Sequence, residues 1–174
     1  MTTTQSDSNS APLPQTLPVG RLEGREAFAG LVRQALACAA HEGWPRLVLS
    51  DPDFADWPLG ERAVVESLQA WAGHGRHIQF MARDFAPLRQ LHPRLVQWRT
   101  TWSHLVEAHA CTGATGADLP SAIWSPGWTL ERLDVLRCTL VASNDAERRV
   151  ALRERLDACW HKGSPSFAAT TLGL

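Results

Sequence analysis

Apolar positions along this chain change period several times, and the changes mark out its elements. Over residues 23–41, Phe28, Leu31, Ala35 and Ala39 recur at spacings of three and four, which predicts a helix that Gly43 stops. Leu47-Val48-Leu49-Ser50 is an apolar run that breaks at Asp51-Pro52-Asp53, and Ile78-Gln79-Phe80-Met81-Ala82 is a second that breaks at Arg83-Asp84. Between them Val64, Leu68 and Trp71 form a helical stripe after Pro58, with Glu61 in the first turn and Gly73-His74-Gly75 at the end. The order strand, turn, helix, strand, turn, helix predicts parallel pairing, with ligands expected at the C-terminal strand edges.

Farther along, Leu88, Leu91, Leu95 and Trp98 keep helical spacing, but Pro93 disfavours helical geometry at His92. A short turn near Pro87 and a helix from Pro93 to about Thr101 are expected. Residues 103–109 read as a strand, 111–119 as a loop, 122–128 and 130–133 as a hairpin about Pro126-Gly127, and 138–142 as a strand. Asn144 or Asp145 then caps a last helix that closes at His161-Lys162-Gly163. The expectation is one α/β domain over residues 21–174, a single mixed, mainly parallel sheet flanked by helices. Residues 1–20, polar and holding Pro12, Pro14 and Pro18, are expected to form a disordered tail. The apolar end from Phe167 to Leu174 either docks on the sheet or hangs loose.

Composition narrows the function classes. With 44% apolar and 20% charged residues, the 174-residue chain fits an ordinary soluble globular domain. A net charge of −1 argues against a general polyanion binder, and so against nucleic acid as a partner, with a local basic patch left open. Cys38, Cys111, Cys138 and Cys159 are too scattered for a zinc or dithiol motif, and they suggest reduced thiols in a cytoplasmic protein. No signal peptide and no span-length apolar run is present, so no membrane partner is expected. Eight tryptophans and no tyrosine are unusual, and Trp98, Trp102, Trp124 and Trp128 are candidates for a homodimer interface.

Two groups of residues could carry chemistry. Asp51-Pro52-Asp53 after a strand is similar to the Asp-x-Asp motif of the haloacid dehalogenase superfamily. That likeness implies a Mg²⁺-dependent phosphoester hydrolase, in which Asp51 attacks phosphorus and Asp53 handles a proton. The family's downstream lysine and paired acids have no counterpart, since the one lysine is Lys162. The other reading of both acids is that they shape a Pro-containing turn or cap a helix. The second group is Arg83, Asp84, Arg89, His92, Arg94 and Arg99, where basic residues bunch around a strand end. It reads either as an anion-binding surface for a phosphorylated or acidic ligand or as the solvated face of a helix. His104 and His109 are placed to face opposite sides, which does not suit one metal site.

The order from Leu47 to Leu174 resembles one half of a phospholipase D-like domain of bacterial type. The features are the helix ending Ala70-Trp71-Ala72-Gly73-His74-Gly75-Arg76, the strand ending in Asp84, the helix 88–95, and Leu156-Asp157-Ala158-Cys159-Trp160 near the end of the last helix. The His-x-Lys signature of that family is missing: His104-Leu105-Val106 lacks the lysine, and His161-Lys162 are adjacent. The resemblance therefore implies a degenerate, non-catalytic domain that binds a partner or an anion without a cofactor and dimerises. The hydrolase using Asp51, Asp53 and Mg²⁺ is the alternative.

Overall fold

The computed structural model describes residues 16–75, 77–113 and 119–169. Its elements run β1 (Gly20–Glu23), α1 (Arg25–Glu42), β2 (Arg46–Ser50), α2 (Arg62–Ala72), β3 (His77–Ala82), α3 (Ala86–Leu91), α4 (Pro93–Thr101), β4 (Val106–Ala110), β5 (Ser121–Trp124), β6 (Thr129–Asp134), β7 (Thr139–Ser143), α5 (Ala146–Lys162) and β8 (Ser164–Pro165). The strands form one mixed sheet in the order β1-β7-β6-β5-β2-β3-β4-β8.

The α/β class holds, but a mainly parallel sheet does not. Only β2–β3 and β3–β4 are parallel, while β1–β7, β2–β5, β4–β8, β5–β6 and β6–β7 are antiparallel. Connection length explains the split. Helices α2, α3 and α4 carry the chain back for parallel pairing, whereas β5, β6 and β7 are joined by short turns that reach only an antiparallel neighbour.

Period-2 alternation places a different core on each face of the sheet. Leu47, Leu49, Ile78, Phe80, Ile123, Leu130 and Leu140 pack with α1, α2 and α4 in the main cluster. Val48, Met81 and Ala122 point the other way and meet Leu152, Leu156 and Cys159 of α5. Both central strands are buried on two faces, which is why they read as unbroken apolar runs.

Several boundaries differ from the expectation for identifiable reasons. Helix α2 starts at Arg62, later than Pro58, because Trp57 and Leu59 turn into the core first. Residues 86–91, expected as a turn, form the helix α3, where Asp84 Oδ1 accepts from Ala86 N at 2.8 Å. Part of the expected tail belongs to the fold: Pro18 O accepts from Trp128 Nε1 at 3.0 Å, and Gly20 pairs with Ala142 in β1. The first fifteen residues of that segment lie outside the described residues, as do 114–118 of the expected loop and 170–174 of the apolar end. Phe167 is buried and stacks on Phe85 with ring centroids 5.3 Å apart.

Candidate functional site

The first candidate site lies where β2 ends. Asp51 is almost inaccessible, and each of its oxygens accepts two hydrogen bonds. Oδ1 receives Asp53 N at 3.1 Å and Phe54 N at 2.8 Å, while Oδ2 receives Ser121 Oγ and, at 2.8 Å, the Arg132 guanidinium. A carboxylate has about four lone-pair positions, so none remains for a metal ion or for attack on phosphorus. Asp53 turns outward and accepts from Ala55 N at 2.9 Å. The pair is a turn builder, and the hydrolase reading of Asp51 and Asp53 fails on geometry. The donor set does not fit Mg²⁺ either, and among the described residues no group of three or more His, Cys, Asp or Glu could hold a metal ion.

Arg132 organises this corner. It lies on the core-facing phase of β6 with Leu130, two residues away, and it spans Asp51 at 2.8 Å and Asp56 at 2.6 Å over the Phe28 ring. Burial pulls its pKa down, but the bond to Asp56 and the charges of Asp51 and Asp56 outweigh that and hold it above the ordinary value. Arg132 belongs to no motif or cluster that residue spacing marks out. The available signal was a charged residue in phase with the apolar positions of its strand.

The second candidate group is divided by the fold. His92 is buried, with Nε2 2.8 Å from Phe54 O, so it braces the turn and is withdrawn from any surface. Asp84 is spent on the α3 turn described above. Arg83, Arg89 and Arg94 are exposed. Arg94 donates to Gly60 O at 3.1 Å, and Arg89 lies over the Phe167 ring at 5.5 Å. From Phe85 to Val106 the sequence holds no acidic residue, so α3 and α4 present arginines without a carboxylate of their own.

The tryptophans named for a dimer interface belong to the protein's own packing. Trp98 and Trp128 are buried, Trp102 Nε1 donates to Gln69 Oε1 at 2.8 Å, and Trp124 Nε1 donates to Arg149 O at 2.9 Å. His109 stacks on Trp160 with centroids 3.6 Å apart, and His104 lies before β4 against Trp102, so the two histidines do not meet.

No family model matches the chain, and no curated protein does. The fold is similar to the solved structure of TrmBL2, described as an archaeal chromatin protein with a novel mode of DNA binding. The TM-score is 0.63 at 12% identity, covering 92% of this chain and 57% of that one. This chain therefore spans less than two thirds of its neighbour. The likeness points away from the degenerate phospholipase D-like ligand binder, gives the bacterial-type description no support, and conflicts with the exclusion of nucleic acid. A balanced net charge does not by itself exclude a nucleic-acid partner, since it averages over a surface and conceals an acid-free segment.

Proposed function

We propose that this chain is a DNA-associated α/β domain that meets the phosphate backbone through the arginines of the α3–α4 segment. The observation that carries the reading is the acid-free stretch from Phe85 to Val106, flanked and punctuated by exposed Arg83, Arg89 and Arg94. Exposed Gln90 and Gln97 add neutral donors on the same helices. Arginine side chains and amide donors are the groups that contact phosphate oxygens, and such contacts carry no sequence information. The structural likeness to a chromatin protein supports the reading, while whatever the remainder of that neighbour does is not carried over.

A chain of nearly balanced charge binds DNA through such a face weakly and with strong dependence on salt. Among the described residues no helix is long and apolar enough to cross a membrane, and a nucleoid or cytoplasmic setting goes with this reading. Of the phospholipase D-like resemblance, only the strand-and-helix order remains as support, and no activity follows from it. The test is a mobility-shift titration with duplex DNA at low salt. The wild type should retard the duplex, and Arg83→Ala/Arg89→Ala/Arg94→Ala should not. Equal retardation by both would place the contact elsewhere.

A further inference from the structure

Among the described residues two arginines are more than nine-tenths buried, and only one of them has its charge answered there. Arg132 is 4% exposed and sits between two carboxylates. Arg99 is 8% exposed, and among the described residues no carboxylate pairs with it. Among the described residues it meets Ser103 O at a long 3.4 Å and the Phe167 ring at 5.9 Å, and its Nε has no hydrogen-bond partner there. Burial lowers its pKa, with no neighbouring charge opposing the shift. Arginine nonetheless keeps its proton in proteins, so Arg99 is a desolvated cation without a counter-charge among the described residues. Such an arrangement is costly unless an anion completes it.

Arg99 lines a cavity of about 530 Å³ at the sheet edge, where the short β8 covers only the end of β4. The size falls within the range of small-molecule pockets, roughly 300–1,000 Å³. One wall is the parallel stack of His109 on Trp160, with 4° between the rings, and His109 Nδ1 is engaged by Trp160 O at 3.0 Å. Ser166 lines another side, and its backbone N–H is already bonded to Ala108 O at 2.9 Å. Glu107 is at the rim, where its carboxylate is held 3.0 Å from His77 Nε2.

We propose that this cavity is a phosphate-group site in which the Arg99 guanidinium receives the anion and the His109–Trp160 stack forms a flat wall. The planar fork of arginine matches two oxygens of a phosphate group, which accounts for an arginine at the position. This site is separate from the exposed arginines of the DNA reading and does not rest on it. The phosphate could be carried by a small molecule or by the end of a nucleic-acid strand, since both present the same oxygens.

The experiment is thermal denaturation and calorimetric titration of the full chain with inorganic phosphate, against chloride at matched ionic strength. Phosphate should raise the melting temperature of the wild type. Arg99→Gln should weaken phosphate binding at least about tenfold, as expected for loss of a charge-assisted hydrogen bond. Arg99→Lys, which keeps the charge and loses the fork, should fall between the two. Arg89→Ala/Arg94→Ala should keep the phosphate response even where DNA binding is lost, which separates failure of this site from failure of the DNA reading. An oligonucleotide bearing a 5′-phosphate, compared with its 5′-hydroxyl twin, distinguishes the sources. An Arg99-dependent preference for the former assigns a strand end, and a response to phosphate alone assigns a small molecule. Equal phosphate responses in wild type, Arg99→Gln and Arg99→Lys, or no response in any of them, would overturn the site.

Discussion

Arg132 and Asp51 form a buried ion pair at 2.8 Å, with both side chains almost wholly withdrawn from water. The pair joins the end of the parallel strand β2 to the antiparallel strand β6, although the two are separated in the sheet by β5. Removing one partner strands the other charge in a dry setting. Arg132→Ala should therefore lower unfolding free energy by about 3–5 kcal/mol in urea denaturation. Asp51→Asn should cost less, because Asp56 still answers Arg132 and the amide oxygen can still accept from the turn.

The turn that Asp51 builds depends on close backbone approach at Gly60. A Cβ there would lie 3.0 Å from His92 Nδ1 and 3.2 Å from Leu91 O. His92 in turn holds the carbonyl of Phe54, whose φ of 57° is strained for a residue with a side chain. Gly60→Ala should destabilise by about 1–3 kcal/mol through overpacking, read as a lower urea midpoint with an unchanged slope.

Thiol burial gives the stability a definite dependence on pH. Desolvation pushes Cys38 and Cys111 up from 9.0 to about 11, with Glu42 adding to the first and Cys159 to the second. The folded protein thus holds these protons more tightly than the unfolded chain. Their contribution is complete below about pH 9 and is lost as the pH rises through about 11. Melting temperature should fall between those limits, and Cys111→Ala should flatten the slope even if it lowers the plateau. A slope unchanged by Cys111→Ala would contradict this assignment.

Phe167 shows that the end of the described chain is anchored. Its ring meets Phe80 and Phe85 and receives Arg89 and Arg99 on its surface. Phe167→Ala should cost about 3–5 kcal/mol, a loss typical of a large core ring. A change within about 0.5 kcal/mol would show that the segment is not held in this way.

Much of the architecture was legible because local patterns set it. Strands β2 and β3, helices α1 and α5, the hairpin about Pro126-Gly127 and the cap at Asp145, which accepts from Arg148 N at 2.9 Å, all follow from spacing and turn chemistry. Gly163 was legible for the wrong reason. Its φ is −80°, so it does not serve as a left-handed cap; it is small because a Cβ would press on Ala110 O and Cys111 Sγ at 3.1 and 3.2 Å. The marginal strands β1 and β8 were not legible, since their pairing partners lie far away in sequence. The candidate site was less legible than the fold. Asp51 is occupied by a donor 81 positions away, and burial of His92 and Arg99 depends on how α3 and α4 pack.

The central claim is that the arginines of the α3–α4 segment neutralise DNA phosphates, and counterion release tests it most directly. Affinity for a duplex should be measured by fluorescence anisotropy across a range of salt concentrations, for the wild type and for Arg89→Ala/Arg94→Ala. Each phosphate contact adds about 0.9 to the steepness of log K against log salt, so the double variant should bind more weakly and with a slope shallower by roughly 1.8. No binding at low salt, or identical slopes for the two proteins, would contradict the account.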